Sequence, residues 1–272
     1  LTGRLPLLVA LPPSEGKAPG GDGPPLDLAT LSHADALSAA RGRVVDALVK
    51  LCSAEGTRGV NRARKVLGLS EGLTGEIAVD AAVRTAPTLP AARRYTGVLY
   101  DHLSLATLPP GARRRAAERV VIVSGLWGAL SPEDAIPAYR LPIGVTLPRL
   151  GKLTAFWRAP LARALPEPAL VVDCRSSDYQ QAWKPAPGSA VVLVRVFSLA
   201  PDGTRKVISH MAKATRGDVA RALLLASDDA GTPVEVAAVV EAAGFACVLV
   251  PPAKAAGAWT LDVDASLSPS GH

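Results

Sequence analysis

"LVALPPSEGKAPGG", Leu8–Gly21, starts as a short apolar run and ends as a glycine-rich loop carrying one lysine. A run of this length, closed by Pro12-Pro13, reads as a fully buried strand over Leu7–Leu11. The loop that follows is not a phosphate-binding P-loop. That pattern needs a glycine where Pro12 stands and a hydroxyl where Ala18 stands, and only Gly16-Lys17 agrees with it. Ser14 and Lys17 also form an S-x-x-K spacing, but the prolines before it and Gly16 within it preclude the helix on which acyl-enzyme serines of that pattern sit. Lys17 therefore needs another role.

The same arrangement recurs along the chain. Val120–Val123 runs into Ser124-Gly125, and Ala169–Asp173 runs into Cys174-Arg175-Ser176. Phe245–Val250 reads as a fourth strand, and Ala190–Leu199 with Lys206–Ser209 flank "APDG" as a hairpin. Helical patterns lie between them: Ser32–Leu51, with Ser32 as N-cap, Pro110–Arg119, Met211–Ala226 and Pro233–Ala243. Around "LGLSEGL", two short helical stretches joined by Leu67-Gly68-Leu69 could form a helix–hairpin–helix, and Thr85–Pro90 reads as a linker. Strands alternating with helices predict an α/β fold with a mixed, largely parallel central sheet. One domain is expected over residues 1–252, with a loosely ordered tail over 253–272. In such sheets ligands bind beyond the carboxyl ends of the strands, where these polar loops fall.

Composition narrows the classes. No apolar run is long enough to span a membrane, and three scattered cysteines in no CxxC spacing argue against a disulfide framework, so a reduced, cytoplasmic setting is expected. The net charge of +6 and a pI near 9.5 fit a polyanionic partner or merely a solvated basic face. His33, His102, His210 and His272 make no metal-ligand spacing with one another or with cysteine, so neither metal nor cofactor is expected.

The longest shaped segment is "VSGLWGALSPEDAIPAYRLPIG", Val123–Gly144, whose glycines and prolines block regular structure. Arg140 there either grips an anion or pairs with Glu133 or Asp134. Lys213 and Arg216, three apart at the start of a helix, oppose its macrodipole unless an anion or Asp218 offsets them. Ser14, Glu15, Asp173 and Tyr179 are candidates for attack or proton transfer, although Glu15 and Asp173 could equally pair with Lys17 and Arg175. Trp127, Trp157 and Trp183 read as core.

Taken together, the S-x-x-K loop, "RYTGVLY" (Tyr95, Gly97), "SGLWGALSPEDAIPAYRLPIG" (Gly125, Gly128, Arg140), Phe156-Trp157, "SSDY" and "ISHMAKATRG" (Lys213, Arg216, Gly217) resemble the YaaA family of bacterial peroxide stress proteins, in family order from residue 8 to about 225. The resemblance implies a cytoplasmic α/β protein that binds DNA through a positively charged cleft and limits damage from intracellular iron. It points to Lys17, Tyr95, Arg140, Lys213 and Arg216 as anion- or DNA-binding residues and to Gly97, Gly125, Gly128 and Gly217 as loop-shaping. The alternative is an enzyme acting on a small anionic or nucleotide-like substrate in the same cleft, within a biosynthetic pathway.

Overall fold

A computed structural model describes residues 7–199, 205–206, 209–254 and 257–265. Its strands are β1 (Leu7–Leu11), β2 (Gly23–Pro25), β3 (Pro87–Pro90), β4 (Val120–Ser124), β5 (Gly128–Leu130), β6 (Ala135–Ile136), β7 (Thr146–Leu147), β8 (Gly151–Lys152), β9 (Leu170–Asp173), β10 (Ala190–Leu199), β11 (Arg205–Lys206), β12 (Cys247–Val250) and β13 (Trp259–Asp264). The α-helices are α1 (Ala34–Cys52), α2 (Gly56–Leu67), α3 (Glu76–Ala81), α4 (Ala91–Arg94), α5 (Val98–Leu103), α6 (Pro110–Arg119), α7 (Leu153–Ala164), α8 (Ser177–Ala182), α9 (Ser209–Leu225) and α10 (Pro233–Ala242).

The central sheet runs β12-β13-β10-β9-β1-β4-β5. The inner strands β13, β10, β9, β1 and β4 are mutually parallel, and β12 and β5 close the two edges antiparallel. The expected α/β class and largely parallel sheet are therefore what the chain adopts. β1, β4 and β9 are buried along their whole length, which is why each reads as an unbroken apolar run rather than an alternation. Among the parallel strands, β4 lies on one side of β1 while the later β9, β10 and β13 lie on the other. The strand order reverses at β1/β9, and that switch point is where open α/β sheets hold ligands.

Several expectations are corrected. The tail expected from residue 253 contains β13, whose Leu261 and Val263 are fully buried beside β10. Phe245–Val250, read as buried, yields β12, an edge strand with Val248 and Val250 exposed. The linker at Thr85–Pro90 supplies β3, which pairs with β2 and β6 in a small separate sheet. His33, in the left-handed region at φ 59°, caps α1 in place of Ser32, whose hydroxyl instead donates to Asp134 Oδ1 at 2.8 Å. The β10–β11 pairing is antiparallel as a hairpin requires, while its turn "APDG" lies outside the described residues. At the expected helix–hairpin–helix, α2 ends on Gly68 at φ 68°, and a short 3-10 turn leads into α3. Leu67 and Leu69 are buried on either side of that glycine.

Candidate functional site: a cationic cavity at the strand ends

A cavity of about 620 Å³ opens at the carboxyl ends of β1 and β9. Its wall draws on five separate stretches: Pro12–Lys17 after β1, Thr96–Tyr100 at the start of α5, Tyr139–Gly144, Ser176–Tyr179 at the start of α8, and Lys213 with Arg216 on α9. Lys17, Arg140, Lys213 and Arg216, remote in sequence, line this one space.

The loop after β1 is held from below. Lys17 makes an isolated antiparallel bridge with Tyr95, Ala18 N–H donates to Arg94 O at 2.9 Å, and Thr96 N–H donates to Ser14 Oγ at 3.2 Å. Lys17 Nζ donates back to Ser14 O at 2.8 Å and Glu15 O at 3.3 Å, and lies 4.3 Å from the centroid of the Tyr139 ring. Burial, then the neighbouring Arg140 charge, lowers its pKa to about 8. Arg140 itself pairs with Glu15 across 3.5 Å, with neither Glu133 nor Asp134, and 79 % of the Glu15 side chain is open to solvent. Asp134 is taken up by Ser32 and Ser131.

Behind Arg140 stands a residue the sequence reading passed over. Asp80 on α3 is completely buried, and its Oδ1 accepts the Arg140 backbone N–H at 2.8 Å. Its Oδ2 has no hydrogen-bond partner. Burial pushes this carboxyl up to about 7; Glu76, one turn earlier, adds to the rise, while the Arg140 N–H and the charges of Lys17 and Arg140 oppose it. A visible signal existed: Asp80 follows Ile77 by three residues, on the buried face of its helix.

The chain has only four tyrosines, and all of them gather here. Tyr100, Tyr139 and Tyr179 line the cavity, and Tyr95 stands behind them. Ser124 Oγ accepts N–H bonds from Leu126 and Trp127, both at 3.2 Å, which leaves its own proton for the Tyr139 hydroxyl at 2.7 Å. Tyr139 in turn reaches Tyr95 OH at 2.7 Å. Burial raises all these phenols, Tyr179 to about 12, so at neutral pH they serve as O–H donors.

The expected site residues divide accordingly. Tyr95 does not line the cavity; it is 3 % exposed and supports Tyr139 and the Lys17 backbone. Ser14 lines it, but its hydroxyl donates to Gly16 O and accepts from the Thr96 N–H. Asp173 is withdrawn from proton transfer because Arg175 grips it through Nε at 2.8 Å and a terminal nitrogen at 2.7 Å, both side chains buried. Asp218 faces His102 Nδ1 at 3.1 Å, while Arg216 Nε donates to Val194 O at 3.3 Å. Gly97, at φ 98°, caps α5, and Gly125 and Gly128 shape the loop. At Gly125 a Cβ would meet Leu141 O at 2.4 Å, and at Gly128, with φ 73°, it would meet Trp157 at 2.6 Å. Gly217 shapes no loop; it lies within α9, where a Cβ would meet Leu99 O of α5 at 2.3 Å. Among the described residues no three His, Cys, Asp or Glu side chains stand close enough together to hold a metal ion. No described helix is long and apolar enough to cross a membrane.

The family model of the peroxide stress protein YaaA matches residues 7–247. The chain belongs to the YaaA family. It is 46 % identical over 260 residues to a UPF0246 protein of Streptomyces coelicolor, covering 94 % of this chain and 98 % of that one. It is 42 % identical over 244 residues to a UPF0246 protein of Corynebacterium glutamicum, covering 88 % and 94 %. A UPF0246 protein of Dinoroseobacter shibae is 36 % identical over 173 residues, or 58 % of this chain and 64 % of that one. In this YaaA-family chain every segment that lines the cavity falls within the matched span.

Proposed function

We propose that the cavity at the β1/β9 switch point is the working site of this peroxide stress protein, and that it takes a small anionic, nucleotide-like molecule in the cytoplasm. One observation carries the reading: four cations from three separate stretches of chain line a space of about 620 Å³. That volume falls among those of small-molecule sites, and a B-form duplex is too broad to enter it. Tyrosine, proline and leucine walls suit a flat or apolar body, and Lys17 and Arg140 suit a phosphate or carboxylate group. Of the proton-transfer candidates, Tyr179 remains in place as an O–H donor on the cavity wall, while Glu15 is paired with Arg140.

The test is a calorimetric titration with ADP and with inorganic pyrophosphate. Saturable binding is expected, weakened roughly 10- to 100-fold by Arg140→Ala, the worth of one charge-assisted contact of about 1.5–3 kcal/mol. Absence of binding by both probes, or a variant that binds like the parent, refutes it.

A second reading rests on a different surface. Arg58, Arg62 and Lys65 are exposed on one side of α2, spaced four and three apart, beside the Gly68 turn. This face suits the phosphates of DNA, contacted without regard to sequence. Limiting damage from intracellular iron is the physiological setting of either reading.

A further inference from the structure

Lys17 is an amine in the cavity wall that no carboxylate holds. Glu15, the acid at the mouth, is engaged by Arg140. Among the described residues no carboxylate lies within ion-pair distance of Lys17 Nζ, which instead donates to two carbonyl oxygens of its own loop. Two acceptors ask for only two protons. A neutral amine would satisfy both and keep a lone pair, whereas the third N–H of the ammonium would face the rings of Tyr139 and Tyr95, 4.3 and 5.7 Å from their centroids.

We propose that Lys17 is a covalent catalytic amine, condensing with the carbonyl group of a small anionic aldehyde or 2-keto acid whose carboxylate or phosphate is held by Arg140; this rests on the anion-binding reading above. Nζ attacks the carbonyl carbon, and the C=O π pair moves to oxygen. The carbinolamine then expels that oxygen as water, the nitrogen lone pair closes the C=N bond, and both amine protons end on the departing water. Nothing is oxidised or reduced. The Tyr179 hydroxyl, kept protonated by burial, supplies an O–H donor on the wall for the carbonyl oxygen.

The surroundings favour the neutral amine. Burial and Arg140 work against the ammonium; Asp80, Glu76 and Glu15 work for it, and the balance stands at about 8. Near pH 7 about one Lys17 in ten is then a free amine, against roughly one in three thousand for an ordinary lysine.

The experiment uses the full chain, incubated with glyoxylate and sodium cyanoborohydride from pH 6 to 10, with peptide mass spectrometry to locate the reduced adduct. Lys17 is expected to label at least tenfold faster than exposed Lys65 near pH 7, with a rate that levels off near pH 8. Acetaldehyde, which has no anionic group, is expected to lose part of that preference, and Arg140→Met is expected to slow glyoxylate several-fold more than acetaldehyde, which loses only the Arg140 charge's effect on the amine. Excess pyrophosphate is expected to protect Lys17. Labelling of Lys17 no faster than Lys65 overturns the proposal, as does a rate that keeps climbing to pH 10. If pyrophosphate binds by calorimetry yet Lys17 stays unlabelled, the amine chemistry alone falls; if pyrophosphate does not bind at all, the anion-binding reading falls with it.

Discussion

Asp80, fully buried, and Lys17, half-buried in the cavity wall, have opposite titration behaviour, and together they set a pH signature. The Asp80 carboxyl stands at about 7 when folded against 3.8 when unfolded, so between those values the folded state holds more protons. Its contribution to stability therefore falls as pH rises from about 4 to 7, by at most ~1.4 kcal/mol per pH unit. Lys17 stands at about 8 when folded against 10.5 when unfolded, so there the unfolded state holds more protons and stability rises across that span. Urea midpoints measured across pH are expected to lose the acid-side decline in Asp80→Asn and the alkaline-side gain in Lys17→Met. An unchanged profile in Asp80→Asn would remove the assignment. Asp173 is a simpler case. Replacing it by Asn leaves the buried Arg175 guanidinium without its counter-charge, and a loss of about 3–5 kcal/mol in urea unfolding is expected. Local sequence offered Arg175 and Asp173 two residues apart, and that proximity was readable. The rise at Asp80 was not, because it comes from burial of α3 beneath segments remote in sequence, the Arg140 loop sixty positions away among them.

At the level of elements, α5 and α9 meet through Gly217, with no room for a methyl group between its Cα and the Leu99 carbonyl. Gly217→Ala is expected to cost roughly 1–3 kcal/mol by forcing the helices apart, measured as a lowered melting temperature. The basic face of α2 belongs at the same scale. Replacing Arg58, Arg62 and Lys65 together by Ala is expected to reduce the slope of log affinity for duplex DNA against log salt by roughly 2–3, at about 0.9 per phosphate contact. Pyrophosphate affinity should not move, since none of the three lines the cavity. Equal salt slopes in parent and variant would rule that face out. The strands β1, β4 and β9 were legible because burial on both faces makes each an apolar run, broken only at its carboxyl end by Ser124 in β4 and Asp173 in β9. β13 was not, because "WTLDVD" places Asp262 and Asp264 at buried positions. Asp262 is tolerated there through its bonds to Arg195 at 2.8 and 3.0 Å, a partner on the neighbouring strand that no window of sequence around it contains.

Over the whole molecule, the strand order places the loops after β1 and β9 side by side and lets α9 close the far wall. The convergence of Lys17, Arg140, Lys213 and Arg216 was foreseeable from polar loops following buried strands, while the order of those strands was not, since nothing local to a strand names its neighbour. β13 is the strand on which the far half depends: it pairs with β10 on one side and β12 on the other. Ending the chain before Trp259 is expected to abolish cooperative thermal unfolding followed by circular dichroism, and a truncated chain that melts like the parent would show the sheet independent of it. The position of β13 also bears on how the protein is made. Of the sheet's described strands it is the last to emerge from a ribosome, yet it belongs inside the sheet, so β12 waits without a partner until β13 has followed it out. Premature termination or a stalled ribosome near residue 258 would leave a nascent chain with the flank of β10 uncovered, a natural target for chaperones.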